Sequence, residues 1–157
     1  MSTLIFRTAT EGDLDRILGM LADDPLGKYA ELTGAIDRPA YVRALKDIQD
    51  SPLTDMIVGE RIDERGNSEV LACLQLTLTP SLSRGGARRA LVEAVRVASD
   101  QRGQGIGTAL LKHAIGLAHA RGAKTVQLTS DTRRTDAHRF YKNLGFSSSH
   151  AGFKLDL

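Results

Sequence analysis

Residues 91–122 read LVEAVRVASDQRGQGIGTALLKHAIGLAHARG, and the folding of this stretch constrains everything around it. Leu91–Ala98 is rich in β-branched residues and reads as a strand. Gln101-Arg102-Gly103-Gln104-Gly105-Ile106-Gly107 reads as a glycine-rich loop that runs straight into a helix. In that helix Ile106, Leu110, Ala114 and Leu117 recur at helical spacing on one face. Gly122 stands where a helix C-terminal glycine is expected. Three glycines within five residues remove Cβ atoms, so a ligand can come close to the main chain. The first turn of a helix leaves N–H groups without intrahelical partners, and the helix dipole adds positive potential there. With Arg102 at the mouth, these donors predict a phosphate-bearing ligand at the start of the helix.

Two familiar glycine loops do not fit. The phosphate loop of nucleotide hydrolases needs Lys-Ser/Thr after its last glycine, and here Thr108 follows Gly107 with no lysine before it. The dinucleotide fingerprint Gly-x-Gly-x-x-Gly, counted from Gly103, ends on Thr108; counted from Gly105, it ends on Leu110. What remains is Arg102-x-x-Gly105-x-Gly107 between a valine-rich strand and an amphipathic helix. It resembles the acyl-CoA-binding motif Gln/Arg-x-x-Gly-x-Gly/Ala of the GCN5-related N-acetyltransferase (GNAT) superfamily. A second stretch, Ala137-His138-Arg139-Phe140-Tyr141-Lys142-Asn143-Leu144-Gly145-Phe146, resembles that superfamily's Ala-x-x-Phe-Tyr-x-x-x-Gly-Phe pattern. The opening Phe6-Arg7-Thr8-Ala9-Thr10-x-x-Asp13-Leu14 is also similar to the way many members begin.

The remaining elements follow from pattern. Leu4–Thr8 is a short strand, and Leu14, Ile17, Leu18 and Leu21 give the next helix its apolar face. Asp23–Pro39 is loop-like, with Pro25, Gly27, Gly34 and Pro39 as breakers. A helix over Pro39–Asp50, a strand over Thr54–Ile62, a turn at residues 63–67 and a strand over Glu69–Thr79 come next. Ser81–Ala87 is a loop before the central strand. Lys124–Thr129 is a strand, a helix runs from Thr135 or Asp136 to about Leu144, and Phe146–Ser149 with Phe153–Leu157 predict a closing hairpin. The order β-α-α-β-β-β-α-β-α-β-β implies an α+β domain with a mixed sheet. The resemblance implies the same order: a GNAT-like acyl-CoA N-acyltransferase fold, a mixed, mostly antiparallel central sheet flanked by helices, as one N-acetyltransferase domain over residues 1–157.

Composition narrows the classes. The 157 residues are 41% hydrophobic and 25% charged, which favours a globular chain over a disordered one. A net charge of +2 is too small to argue for a nucleic-acid partner. The single cysteine, Cys73, rules out an internal disulfide and fits a reducing compartment. Its neighbours Leu71, Ala72, Leu74 and Leu76 predict a buried strand residue. No apolar run approaches the ~20 residues of a membrane span, and no signal-peptide pattern is present, so a cytoplasmic protein is expected. The resemblance adds a homodimer as the common assembly. No metal site is expected.

Acetyl transfer to an amine sets chemical requirements. An alkyl amine with a pKa of ~10.4 is about one part in a few thousand neutral at pH 7, so a base must take its proton. The thioester carbonyl needs donors aimed at the developing oxyanion, and the departing thiolate benefits from an acid. In the resemblance the tyrosine of the Phe-Tyr pattern, here Tyr141, faces the CoA sulfur and is the acid. Packing alone would also explain it, since Ala137, Phe140, Tyr141 and Leu144 share one helical stripe. Glu93 lies mid-strand between Val92 and Ala94, where a carboxylate is costly unless partnered or functional. It is the candidate base, with an ion pair to Arg96 or Arg88, or simple exposure, as the structural alternative. The resemblance implies main-chain contacts from Val95 and Val97 to the pantetheine arm, with the Val95 amide as oxyanion donor. It implies a pyrophosphate site over Arg102, Gly103, Gln104, Gly105, Ile106, Gly107 and Thr108. Many members carry an asparagine after the next strand; this chain reads Leu128-Thr129-Ser130-Asp131, which leaves Ser130 and, from the following helix, His138 as polar candidates. His150 could touch an acceptor, and Arg84, Arg88, Arg89, Arg133 and Arg134 could attract an anionic acceptor or the CoA 3′-phosphate, though charge runs are usually solvated. The expected partners are acetyl-CoA and a small-molecule or peptide amine, with no nucleic acid or membrane. The alternative class is an acyl-CoA-binding sensor without turnover.

Overall fold

The computed structural model describes residues 2–24, 26 and 36–157. Most of the loop expected over Asp23–Pro39, including the breakers Pro25, Gly27 and Gly34, lies outside the described residues. The chain divides into two compact units, Met1–Gln127 and Leu128–Leu157. The first contains β1 (Thr3–Thr8), a 3-10 turn at Glu11–Asp13, α1 (Leu14–Ala22), α2 (Arg38–Asp50), β2 (Thr54–Ile62) and β3 (Ser68–Thr79). It continues through α3 (Ser83–Gly86), β4 (Arg88–Val97), a 3-10 turn at Ser99–Gln101 and α4 (Ile106–Ala120) into β5 (Ala123–Leu128). The second unit carries α5 (Thr135–Asn143). The sheet order is β1-β2-β3-β4-β5, with β1/β2, β2/β3 and β3/β4 antiparallel. β4 and β5 are neighbours joined through α4; a helical crossover of this kind connects parallel strands, which makes the sheet mixed.

Strand alternation assigns two faces to the sheet. On one, Ile57, Leu74, Leu76, Leu78, Ala90 and Val92 are buried, and α4 brings Ile106, Leu110, Leu111, Ala114 and Ala118 into the core. The Phe6 ring stacks on His113 of α4 with centroids 4.9 Å apart. On the other face Met56, Val58, Val70 and Cys73 form a core with Ile17, Leu18 and Met20 of α1 and Leu45 of α2. Arg7 locks the entry to α1: it donates to Asp13 at 2.7 Å and to Glu60 at 2.8 Å. Asp13 also accepts the Thr10 N–H at 2.8 Å. The Arg7 guanidinium is the main reason the Asp13 carboxyl is held down at about 2. Cys73 is fully buried, as its neighbours predict, and burial pushes its thiol up to about 12.

Two expectations are corrected. The closing hairpin over Phe146–Ser149 and Phe153–Leu157 is not formed; residues 144–157 contain no strand. Six small or polar residues, Ser147 to Gly152, have weak strand preference, and a two-stranded ribbon on its own is marginal in water. Phe153, Leu155 and Leu157 alternate as strand residues do, yet all three are exposed. The element order therefore ends on α5. The loop at Ser81–Ala87 contains one distorted helical turn, α3, in which Arg84 and Gly85 take positive φ. Among the described residues no helix is long and apolar enough to cross a membrane.

Candidate active site

Two backbone irregularities in the first unit define the site. The first is in β4. The β3/β4 register shifts by one residue between the pairs Cys73/Arg96 and Gln75/Glu93, so Leu74 alone faces both Ala94 and Val95. Ala94 sits at φ 52, a left-handed conformation that costs an L-residue about 1–2 kcal/mol. Neighbouring groups hold it there. The Ala94 carbonyl accepts a weak bond from Cys73 Sγ at 3.8 Å, and the Val95 carbonyl accepts Arg96 Nη1 at 2.7 Å. Arg96 Nη2 in turn donates to buried Asp24 at 2.9 Å. A bulge takes a residue out of the ladder and re-aims its neighbours. This one falls at Ala94 and Val95, and Val95 is the residue whose amide the resemblance nominates as oxyanion donor.

The second irregularity is the glycine loop. Gly103 and Gly105 both take φ 78, which only glycine adopts without strain. A Cβ at either position would project into open space, so packing against this chain does not exclude a side chain there. Gly105 is the N-cap of α4 and has no side chain to satisfy the first turn. The first main-chain bond into the helix is Ala109 N–H to the Gly105 carbonyl at 3.0 Å. Among the described residues, the N–H groups from Gly103 to Thr108 have no acceptor. Two side chains brace the loop from beneath. Arg61 of β2 donates to Gln101 Oε1 at 2.9 Å and to Gln104 Oε1 at 3.4 Å. Arg102 donates to the Val97 carbonyl at 3.2 Å and to Asp23 at 3.2 Å. Its charge is therefore shared with Asp23 rather than left free at the mouth.

Glu93 precedes the bulge and is exposed. Of the alternatives open in the sequence, exposure is the one found, because alternation places Val92 in the core and Glu93 on the opposite, less covered face. Neither proposed ion-pair partner takes it: Arg96 pairs with Asp24, and Arg88 Nη1 donates to the Arg121 carbonyl at 2.9 Å. Val95 and Val97 are half-buried on the same strand.

In the second unit, Tyr141 lies half-buried on α5 with its ring edge-on to Phe146, centroids 5.9 Å apart, and tilted against Phe140 at 5.2 Å. The Leu144 and Phe146 N–H groups donate to its carbonyl and close the helix end. Ring packing and a placed hydroxyl are compatible, as expected for a tyrosine. His138 is half-buried with Nε2 2.9 Å from the Asp131 carbonyl. Ser130 is half-buried just before that bend. Arg133 folds back on Asp131 and holds its carboxyl well below the usual carboxylate range. His150 is exposed and shares a 2.7 Å hydrogen bond with Ser149.

The model of the acetyltransferase (GNAT) family matches residues 28–146. The chain belongs to this family. The aminoalkylphosphonate N-acetyltransferase of Salmonella typhimurium is 31% identical over 131 residues, 83% of this chain and 84% of its own. The glucosamine 6-phosphate N-acetyltransferase of Trypanosoma brucei brucei is 27% identical over 92% of this chain and 97% of its own. A solved structure from Bacillus halodurans C-125, described as a transcriptional regulator, superposes with a TM-score of 0.86 at 41% identity, covering 99% of this chain and 100% of that one.

The GNAT acetyltransferases use acetyl-CoA, and the residues here fit its diphosphate. A run of N–H groups without acceptors at a helix N-terminus is an anion site, and the missing Cβ atoms at Gly103 and Gly105 leave room for close approach. Sequence reasoning missed the Arg61 brace, the pairing of Asp23 and Asp24 with Arg102 and Arg96, and the bulge itself. An αL glycine at position 94 would have signalled the bulge; alanine carries no such signal.

Proposed function

We propose that this acetyltransferase transfers the acetyl group of acetyl-CoA to a primary amine by direct attack of the amine on the thioester. The observation that carries the reading is the row of N–H groups from Gly103 to Thr108 with no acceptor among the described residues, in a chain of an acetyltransferase family. Acetyl-CoA supplies an activated acyl group on a good leaving thiolate. The main chain from Arg102 to Thr108 binds the diphosphate, and Val95 and Val97 offer main-chain groups to the pantetheine arm as an added strand would. The Val95 amide donates to the developing oxyanion. Glu93 takes the amine proton through water, and the Tyr141 hydroxyl gives a proton to the departing sulfur. Ser130 and His138 provide further polar contacts. A cytoplasmic homodimer is the setting that the family suggests.

The test is a panel of amines incubated with acetyl-CoA, scored by release of free CoA thiol and by mass spectrometry of the product. Acetylated product from at least one amine supports transfer. Tyr141→Phe then lowers kcat by about 100-fold while the affinity for CoA stays within about twofold. Unchanged kcat removes Tyr141 from the mechanism. The second reading, an acyl-CoA-binding regulatory module, is favoured by the description of the 41%-identical structure as a transcriptional regulator. Calorimetric binding of acetyl-CoA with no product from any amine would select it.

A further inference from the structure

The β3/β4 register puts one row of side chains on the α1/α2 face of the sheet, beyond the part those helices cover. Thr79 pairs with Arg89, Thr77 with Leu91 and Gln75 with Glu93. The bulge begins only after Glu93, so Arg89, Leu91 and Glu93 share one face by simple alternation. The intervening Ala90 and Val92 are buried on the other face. On this shelf Gln75, Thr77, Arg89 and Leu91 are half-buried, while Glu93 and Thr79 are exposed.

Arg89 is the anomaly on it. Its Nε is buried and has no hydrogen-bond partner, and among the described residues the guanidinium makes no ion pair. Two other arginines singled out by sequence are occupied, Arg88 by the Arg121 carbonyl and Arg133 by Asp131. Removing part of a guanidinium from water without a compensating acceptor is unfavourable, and an oxyanion is the partner its planar donors fit best.

We propose that Arg89 anchors an oxyanion on the acceptor, so that the acceptor is a small amine carrying a phosphate, phosphonate or carboxylate at a distance from the amino group. This rests on the transfer reading above, in which Glu93 attends the amine. Arg89 and Glu93 stand four residues apart on one strand, about 13 Å between Cα atoms. Both side chains are long enough to lean inward, and a molecule of a few bonds spans the remainder. Gln75 and Thr77, between the two charges, offer hydrogen bonds to a polar middle.

The test uses matched pairs: 3-aminopropylphosphonate against 3-aminopropanol, and 4-aminobutyrate against 4-aminobutanol. The wild-type enzyme prefers the anionic member of at least one pair by tenfold or more in kcat/KM, and the better pair separates phosphonate from carboxylate recognition. In Arg89→Gln that preference falls at least tenfold, chiefly through KM for the anionic amine, and Arg89→Lys keeps part of it. A wild-type preference for the neutral members, or an unchanged ratio in Arg89→Gln, overturns the assignment. Calorimetry of the anionic amines in the presence of CoA needs no turnover. If no amine is acetylated, the transfer reading fails by itself. Binding to wild type that weakens tenfold or more in Arg89→Gln then keeps the oxyanion site, and absent or equal binding ends it.

Discussion

Gly66 and Gly105 hold nearly the same backbone conformation, at φ +82 and +78, and a Cβ at either would meet open space. Their turns have opposite character. Around Gly66 the main-chain donors of residues 65–67 are used: the Asp63 carboxylate accepts the Arg65 N–H at 2.8 Å, the Asn67 N–H at 2.9 Å and the Asn67 side-chain amide at 2.9 Å. The Gly66 N–H donates to the Asp63 carbonyl at 3.0 Å. Around Gly105 no side chain plays the part of Asp63, and six successive N–H groups find no acceptor among the described residues. A turn that consumes its own donors needs no ligand. A turn that leaves them open at the positive end of a helix is built for an anion. Glycine alone does not separate the two; the presence or absence of an acceptor two or three residues earlier does.

The largest effect separating them is on coenzyme affinity. Gly105→Val adds a side chain at the proposed diphosphate site and weakens CoA binding at least about 100-fold by calorimetry, while Gly66→Val leaves it unchanged. Both lose comparable stability, about 1–2 kcal/mol in urea unfolding, because both force a side chain into the left-handed region. Equal affinities in the two variants would break the contrast. The same distinction applies to carboxylates. Asp13 is fully engaged by Arg7 and Thr10, and its pKa is lowered, so its contribution is present above the ordinary carboxylate range and is lost as pH falls from about 4 towards 2. Asp13→Asn therefore costs about 2 kcal/mol at pH 7 and much less at pH 2, read from unfolding curves at the two values. Glu93, exposed and unclaimed by Arg96 or Arg88, is the carboxylate we propose as the base. Glu93→Gln lowers kcat/KM by about tenfold or more near pH 7, with little change in Tm. An unchanged kcat/KM would assign the base elsewhere. The smallest effect is at Asp63: Asp63→Ala lowers Tm slightly and leaves CoA affinity untouched.

Much of the fold was legible because its signals are local. Thr54–Ile62 has the boundaries expected from the sequence, and α1, α2, α4 and α5 fall within a few residues of their caps and stripes. The glycine loop was legible because positive φ leaves a mark in composition. The bulge was not, since the groups that bond around Ala94 include Cys73 and, through Arg96, Asp24, both distant in sequence. The surroundings of Glu93 were legible only as alternatives, because its neighbours along the chain are apolar while a strand shows them to the opposite face. The tail was misjudged for a different reason. Phe153, Leu155 and Leu157 satisfy the pattern of a strand, but no pattern within one segment supplies the partner that pairing requires.

Asp23 and Asp24 are consecutive, yet one grips Arg102 beside the glycine loop and the other grips Arg96 beside the bulge. A single peptide unit at the end of α1 thus ties the glycine loop, where we propose the diphosphate binds, to the bulge at Val95, the proposed oxyanion donor. On that proposal, a substitution that shifts this dipeptide reaches both the seat of the coenzyme and the strand that meets its carbonyl.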